Sequence, residues 1–229
     1  MTESYEQGRE RVRFDVLPDG TVEGDDRAAG NLAAALRYAC RMGSQIGELL
    51  DLGGLERLST MSTLAVVARA SGVAPDLSIM AEVEVHPTPL PEIVPVPGLG
   101  PQEAIRQGLR RATIDFSSDW SALMTDEGKL VGSMHDELAG TISADVVAEV
   151  GLRVLAVLGA LDETLRETAV RLDFVRGSVL VVAIGAHALF THADKFAPHD
   201  VVRTVGAVQS MLDGVELARE APITSSLRV

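Results

Sequence analysis

The 229-residue sequence predicts an α/β protein of the α+β type, organised as two tandem units of β-hairpins and long amphipathic helices. Three observations carry that prediction. A proline-rich stretch divides the chain near its middle, short alternating apolar runs broken by turn residues lie on both sides of it, and part of the order repeats at an offset of 108 residues.

Six of the ten prolines fall in residues 87–101, which read PTPLPEIVPVPGLGP. Each proline fixes its own φ and lacks an amide hydrogen, so the stretch favours an extended, semi-rigid linker. The expected division is 1–86 as a first, reduced unit, 87–101 as linker, 102–214 as a complete second unit, and 215–229 as a C-terminal tail.

Downstream of the linker, Pro101 suits the first turn of a helix whose apolar face is Ala104, Ile105, Leu109 and Ala112, with Arg106, Arg110 and Arg111 off that face. Residues 120–125 read as a strand, turned by Asp126-Glu-Gly128 into a second strand over 129–134. Ser143 is a good N-cap for a helix running to about Leu161, with Asp145 near its positive end. Strands follow at 167–174, 178–184 and 189–193. The middle one is almost wholly apolar, as a strand covered on both faces should be. Val201, Val205, Val208 and Leu212 make the stripe of a last helix stopped by Gly214.

Upstream, 11–17 and 21–24 flank Pro18-Asp-Gly20 as another hairpin. Pro18-Asp-Gly-Thr-Val-Glu-Gly24 aligns with Asp126-Glu-Gly-Lys-Leu-Val-Gly132 so that both glycines coincide. A helix over about 28–50 follows, then apolar strands at 64–68 and 77–85. The run Leu64-Ala-Val-Val-Ala68 answers Val179-Leu-Val-Val-Ala183. No opening or closing helix is visible in this copy, and its interval between helix and central strand is shorter.

The order α-β-β-α-β-β-β-α over 101–214 resembles the roadblock/dynein light-chain family, a layout shared in part by profilin-like and longin-like domains. The resemblance rests on the 120–134 hairpin, the 143–161 helix, the 178–184 core strand and the 201–212 helix, with 11–85 resembling a reduced second copy. It implies a five-stranded antiparallel sheet between helices, and a dimer that pairs the middle helices and joins two sheets through their third strands. It further implies a non-enzymatic scaffold or regulator of Ras-like small GTPases, with no catalytic set and no cofactor. A profilin-like sensory or small-ligand-binding module is the alternative.

Composition narrows the classes. The net charge is −13, divided as −7 over residues 1–100 and −6 over 101–229, and only 3% of residues are aromatic. Such a chain has neither the basic field nor the stacking platforms that nucleic acids require. The single Cys40 cannot form an intrachain disulfide. A polar, acidic opening and apolar runs shorter than the ~20 residues of a membrane span point to a cytoplasmic protein without a membrane segment.

There is no G-x-x-x-x-G-K-[ST] phosphate loop and no G-x-S-x-G elbow, so no enzymatic activity is expected. Gly98-Leu-Gly100 lies in the linker rather than after a strand. Cys40 reads as a small buried residue. His187, His192, Asp194 and His199 approach a metal-ligand set but read as strand-edge and cap residues. Asp25 and Asp26 read as charges at a helix N-terminus, and Trp120 as core. Arg106, Arg110 and Arg111 are the candidate contacts for an acidic partner surface.

Both long helices carry a narrow polar stripe: Asp145, Glu149 and Arg153 in one, Arg37, Arg41, Gln45 and Glu48 in the other. A helix on a sheet with its back to water is polar over about half its circumference. A second long helix is therefore expected to cover each. Ala29, Ala33, Gly43, Gly47, Ala148 and Gly151 are small enough for close approach, with Leu155 on the same flank. Pairing within one chain is favoured over a homodimer, because tandem copies on a short linker have a high effective concentration for each other.

Overall fold

The computed structural model describes residues 11–24, 30–61, 64–72, 76–85, 94, 96–136, 142–165, 169–185, 187–196, 198–215 and 223–227. The first unit comprises β1 (Arg11–Val16), β2 (Val22–Gly24), α1 (Gly30–Leu49), β3 (Leu55–Met61), β4 (Leu64–Ser71) and β5 (Ser78–Val85). The second comprises α2 (Pro101–Asp115), β6 (Trp120–Met124), β7 (Leu130–Asp136), α3 (Ala144–Leu165), β8 (Ala169–Phe174), β9 (Gly177–Ile184), β10 (His187–Ala193) and α4 (Pro198–Leu212). A last strand, β11 (Ile223–Leu227), lies in the expected tail and pairs parallel with β7.

The eleven strands among the described residues form one sheet in the order β11-β7-β6-β10-β9-β8-β3-β4-β5-β1-β2. Within it each unit has the same antiparallel layout: its third strand, then fourth, fifth, first and second. The seam between units is the antiparallel pair β3–β8, with Leu58 opposite Leu172 and Thr60 opposite Val170. Third strands thus join third strands, the arrangement that the family resemblance implies between two separate chains.

Local chemistry places the elements. Pro101 occupies the first turn of α2, where its missing N–H costs nothing. Ser143 caps α3: its Oγ accepts the Val146 N–H at 3.3 Å. At the tip of the β1–β2 hairpin the Asp19 carboxylate accepts the Thr21 N–H at 2.8 Å, and that bond holds its pKa below the usual carboxylate value. The described part of the linker runs along α4, where Val96 N–H donates to the Ser210 carbonyl at 3.1 Å.

Two apolar cores result. The larger lies between the sheet and the paired helices α1 and α3 and is continuous across the seam, from Phe14 and Val83 through Leu58 and Leu172 to Phe190. The buried residues of the smaller all come from the second unit, where α2 and α4 cover the opposite face over Leu123, Leu180, Val182 and Leu189. The second unit is therefore a sheet sandwiched by helices. Among the described residues the first unit has helical cover on one face only, and its other face alternates to polar residues such as Arg13, Arg57, Arg69 and Glu82.

Two strands depart from the sequence expectation. Between α1 and β4 the sequence pattern marks no strand, whereas β3 occupies 55–61 and forms the seam. The 215–229 segment reads as a tail, whereas β11 within it extends the sheet.

Candidate functional site

The three arginines singled out from the sequence lie together on the outer face of α2. They line a groove of about 490 Å³ with Ile114 and Met211. Their environments differ. Arg106 pairs with Glu103 at 2.7 Å and Arg111 with Asp115 at 2.5 Å, and Asp115 also accepts the Thr204 hydroxyl at 3.1 Å, tying α2 to α4. Arg110 is exposed and makes no ion pair among the described residues, and one turn further on Ile114 is 50% exposed. The groove thus offers one uncommitted guanidinium beside an apolar side chain, with two further cations partly neutralised. That suits a carboxylate-bearing protein surface better than a small anion, which needs several donors converging on one point.

The helix-pairing residues are distributed differently from the expectation. Ala33 is buried in the shared core, and Ala148 and Leu155 pack against it half-buried. The glycines face the sheet. A Cβ on Gly43 would meet Leu55 and Leu172 at 3.0 and 3.4 Å, on the two sides of the seam. One on Gly47 would lie 2.6 Å from the Gly53 carbonyl oxygen and 2.8 Å from the Phe174 ring. One on Gly151 would overlap the end of the Met124 side chain and lie 3.0 Å from Phe190. Small residues here set the distance from helix to strand, which corrects the reading that all of them serve helix-to-helix approach. Ala29 lies outside the described residues.

A second groove, of about 450 Å³, runs between the β1–β2 hairpin and α1. Its rim carries Tyr38, 49% exposed, and the exposed Arg41, while Arg37 donates to the Pro18 carbonyl and fastens the hairpin to the helix. The sequence does not mark this groove, because it depends on how the hairpin folds back over α1.

Burial pushes the Cys40 thiol up to about 12, so it is neither an accessible nor an ionised nucleophile at neutral pH. His187 and His192 sit on opposite faces of β10. The first accepts the Asp126 N–H through Nδ1 at 3.0 Å, and the second pairs with Asp119 at 2.8 Å. His199 has no described side chain, and Asp194 is exposed. Trp120 is buried, edge-on to Phe190 and stacked on His192. Asp25 and Asp26 lie outside the described residues. No described helix is long and apolar enough to cross a membrane.

No protein-family model matches the chain, and no curated protein matches it. Solved structures do. One is MglB in a tetrameric arrangement, 18% identical over 52% of this chain and 94% of that one, with a TM-score of 0.38. Another is the gliding protein MglB from Thermus thermophilus, 19% identical over 53% of this chain and 94% of that one, with a TM-score of 0.40. The matched span is about half of this chain.

Proposed function

We propose that this protein is a non-enzymatic, roadblock-type scaffold or regulator of a Ras-like small GTPase that acts as a pseudo-dimer within one chain. One observation supports the reading above the others. Joining of β3 to β8 under the pair α1 and α3 supplies internally the two-copy platform that the roadblock resemblance implies for separate chains. A chain so arranged presents its paired helices at any concentration. The α2 groove, with Arg110 uncommitted between Arg106 and Arg111, is the contact we assign to the acidic part of the partner.

The test is a titration of the full chain into Ras-like GTPases of the source organism, each loaded with GDP or a non-hydrolysable GTP analogue, read by calorimetry. The expected result is a one-to-one complex with one nucleotide state, and an altered rate of GTP hydrolysis or nucleotide release by the partner. Arg110→Glu should weaken that complex about tenfold while leaving the melting temperature unchanged. Absence of any complex in either nucleotide state refutes the proposal. Unchanged affinity in the Arg110 variant removes the α2 groove from it.

A further inference from the structure

We infer that the face of the first unit's sheet left without helical cover among the described residues is a docking floor for an acidic amphipathic helix of a partner protein. The inference does not rest on the GTPase reading, because the floor belongs to the first unit and includes neither the paired helices nor the α2 groove.

The floor is defined by the difference between the two units. In the second, α2 and α4 cover this side of the sheet. In the first, no described helix does, and the face presents Arg13, Arg57, Val67, Arg69, Met80 and Glu82. At the seam, Met61 of β3 packs against the second unit's smaller core. The covered and bare regions therefore meet as a step, roughly one helix diameter (~10 Å) high. A helix laid on the bare floor would sit level with α2 and α4.

The charges on the floor indicate the sign of that helix. Arg57 and Arg69 are register partners on adjacent strands, so their Cβ atoms lie roughly 5 Å apart on the same face. Both are exposed, and neither has an anionic partner among the described residues. Like charges directly opposite each other destabilise a sheet. Glu56, next to Arg57 at the bulge and also exposed, makes no ion pair with either arginine among the described residues, and the other nearby anions are held or set apart. Asp173, in register with Arg57, is held by Arg171 at 2.6 Å and by the Ser178 hydroxyl at 2.6 Å. Glu82 is held by Arg13 at 3.1 Å. Asp15 lies on the far side of Met80 from Arg69. Two guanidiniums with no ion pair among the described residues thus stand side by side in a chain of net charge −13. Beside them Met80 is 53% exposed and Val67 is half-buried, an apolar strip next to the cationic pair. Carboxylates on one flank of a helix and apolar side chains on the next match that strip and pair.

The probe is a fluorescein-labelled synthetic helix with Glu on one face and Leu on the next, compared with a counterpart carrying Lys in place of Glu. Anisotropy with the full chain should show saturable binding of the acidic peptide. Binding should fall about tenfold or more in the Arg57→Glu, Arg69→Glu double variant and with added salt. The Lys peptide should show no such dependence on the two arginines. The single variants Arg57→Gln and Arg69→Gln should melt at the same or a higher temperature, since each relieves the like-charge pair. Several results would overturn the inference: no binding of the acidic peptide, equal binding to the double variant, or a lower melting temperature in both Gln variants. So would capture on phosphatidylserine vesicles, or concentration-dependent dimerisation, if abolished by the double variant, because the occupant would then be a lipid surface or a second copy.

Discussion

Replacing Gly47 by alanine sets two effects of known sign against each other. In a helix interior the exchange favours alanine by about 1 kcal/mol, through backbone entropy. At this site the added methyl would stand 2.6 Å from the Gly53 carbonyl oxygen and 2.8 Å from two carbons of the Phe174 ring. The carbonyl side cannot recede freely. Leu52 N–H donates back to the Gly47 carbonyl at 2.8 Å, and the Leu52 carbonyl accepts Arg176 N–H at 3.0 Å, so the loop is tied to both units. Overpacking of this kind costs about 1–3 kcal/mol, and the fixed backbone on one side puts the cost at the upper end. The clash outweighs the propensity gain, for a net destabilisation of about 1–2 kcal/mol. In a domain of this size each kcal/mol moves the melting temperature by about 2–4 °C, so Gly47→Ala should melt about 2–8 °C lower. Gly159→Ala is the matched control: that glycine is in α3, exposed, with nothing within 4 Å of the new methyl, and it should melt about 2–4 °C higher. Thermal unfolding by circular dichroism, with buried Trp120 fluorescence as a second probe, measures both. If Gly47→Ala also raises the melting temperature, α1 does not sit against the seam at the stated distance and the reasoning fails.

Leu155→Arg places a guanidinium against the core shared by the units and should cost about 2–3 kcal/mol in urea denaturation, with the molecular mass in light scattering unchanged because the pairing is within one chain. Cys40 should resist a soluble disulfide reagent at pH 8 until the protein unfolds. Its folded pKa of about 12 lies above the free value of 9.0, so the folded state holds the proton longer and stability is intact below about pH 9. Stability then falls by up to ~1.4 kcal/mol per unit as pH rises towards 12, and a Cys40→Ala variant should lose that slope. Truncation before Ile223 should remove hydrogen-exchange protection from the β7 amides that face β11, and unaltered protection would argue against the parallel pair.

Much of the second unit was legible in the sequence because its signals are local. The 120–134 hairpin announces itself by Asp126-Glu-Gly128, α3 by Ser143, and β9 by an unbroken apolar run. The seam strand was not. In Leu55-Glu-Arg-Leu58 the apolar residues recur at a spacing of three, which matches neither a strand's period of two nor a full helical stripe. The structure supplies the reason: a bulge between Leu55 and Arg57 brings both leucines to the core side while Glu56 and Arg57 stay exposed. The narrow polar stripes did point to a second helix over each long helix, yet Gly43, Gly47 and Gly151 could not be assigned to helix or sheet contact, since a small residue serves either. Of the candidate surfaces, Arg106, Arg110 and Arg111 were visible as one helix face. Arg57 and Arg69 were not visible as a pair, because cross-strand neighbours depend on register that the sequence does not display.

The seam also orders events during synthesis. Leu58 leaves the ribosome more than a hundred residues ahead of Leu172, its partner across the join. At ordinary rates of translation that separation is on the order of ten seconds. Throughout the interval the nascent first unit has an open strand edge and a helix with one flank uncovered, the condition in which chains associate wrongly with one another. The same bulge and the charged pair Glu56 and Arg57 that hide β3 from pattern recognition are features that discourage an open edge from recruiting a stray strand. The join thus carries its own protection for the period before its partner exists, and this strand, rather than the core, is where neutral substitutions should turn a soluble nascent chain into an aggregating one.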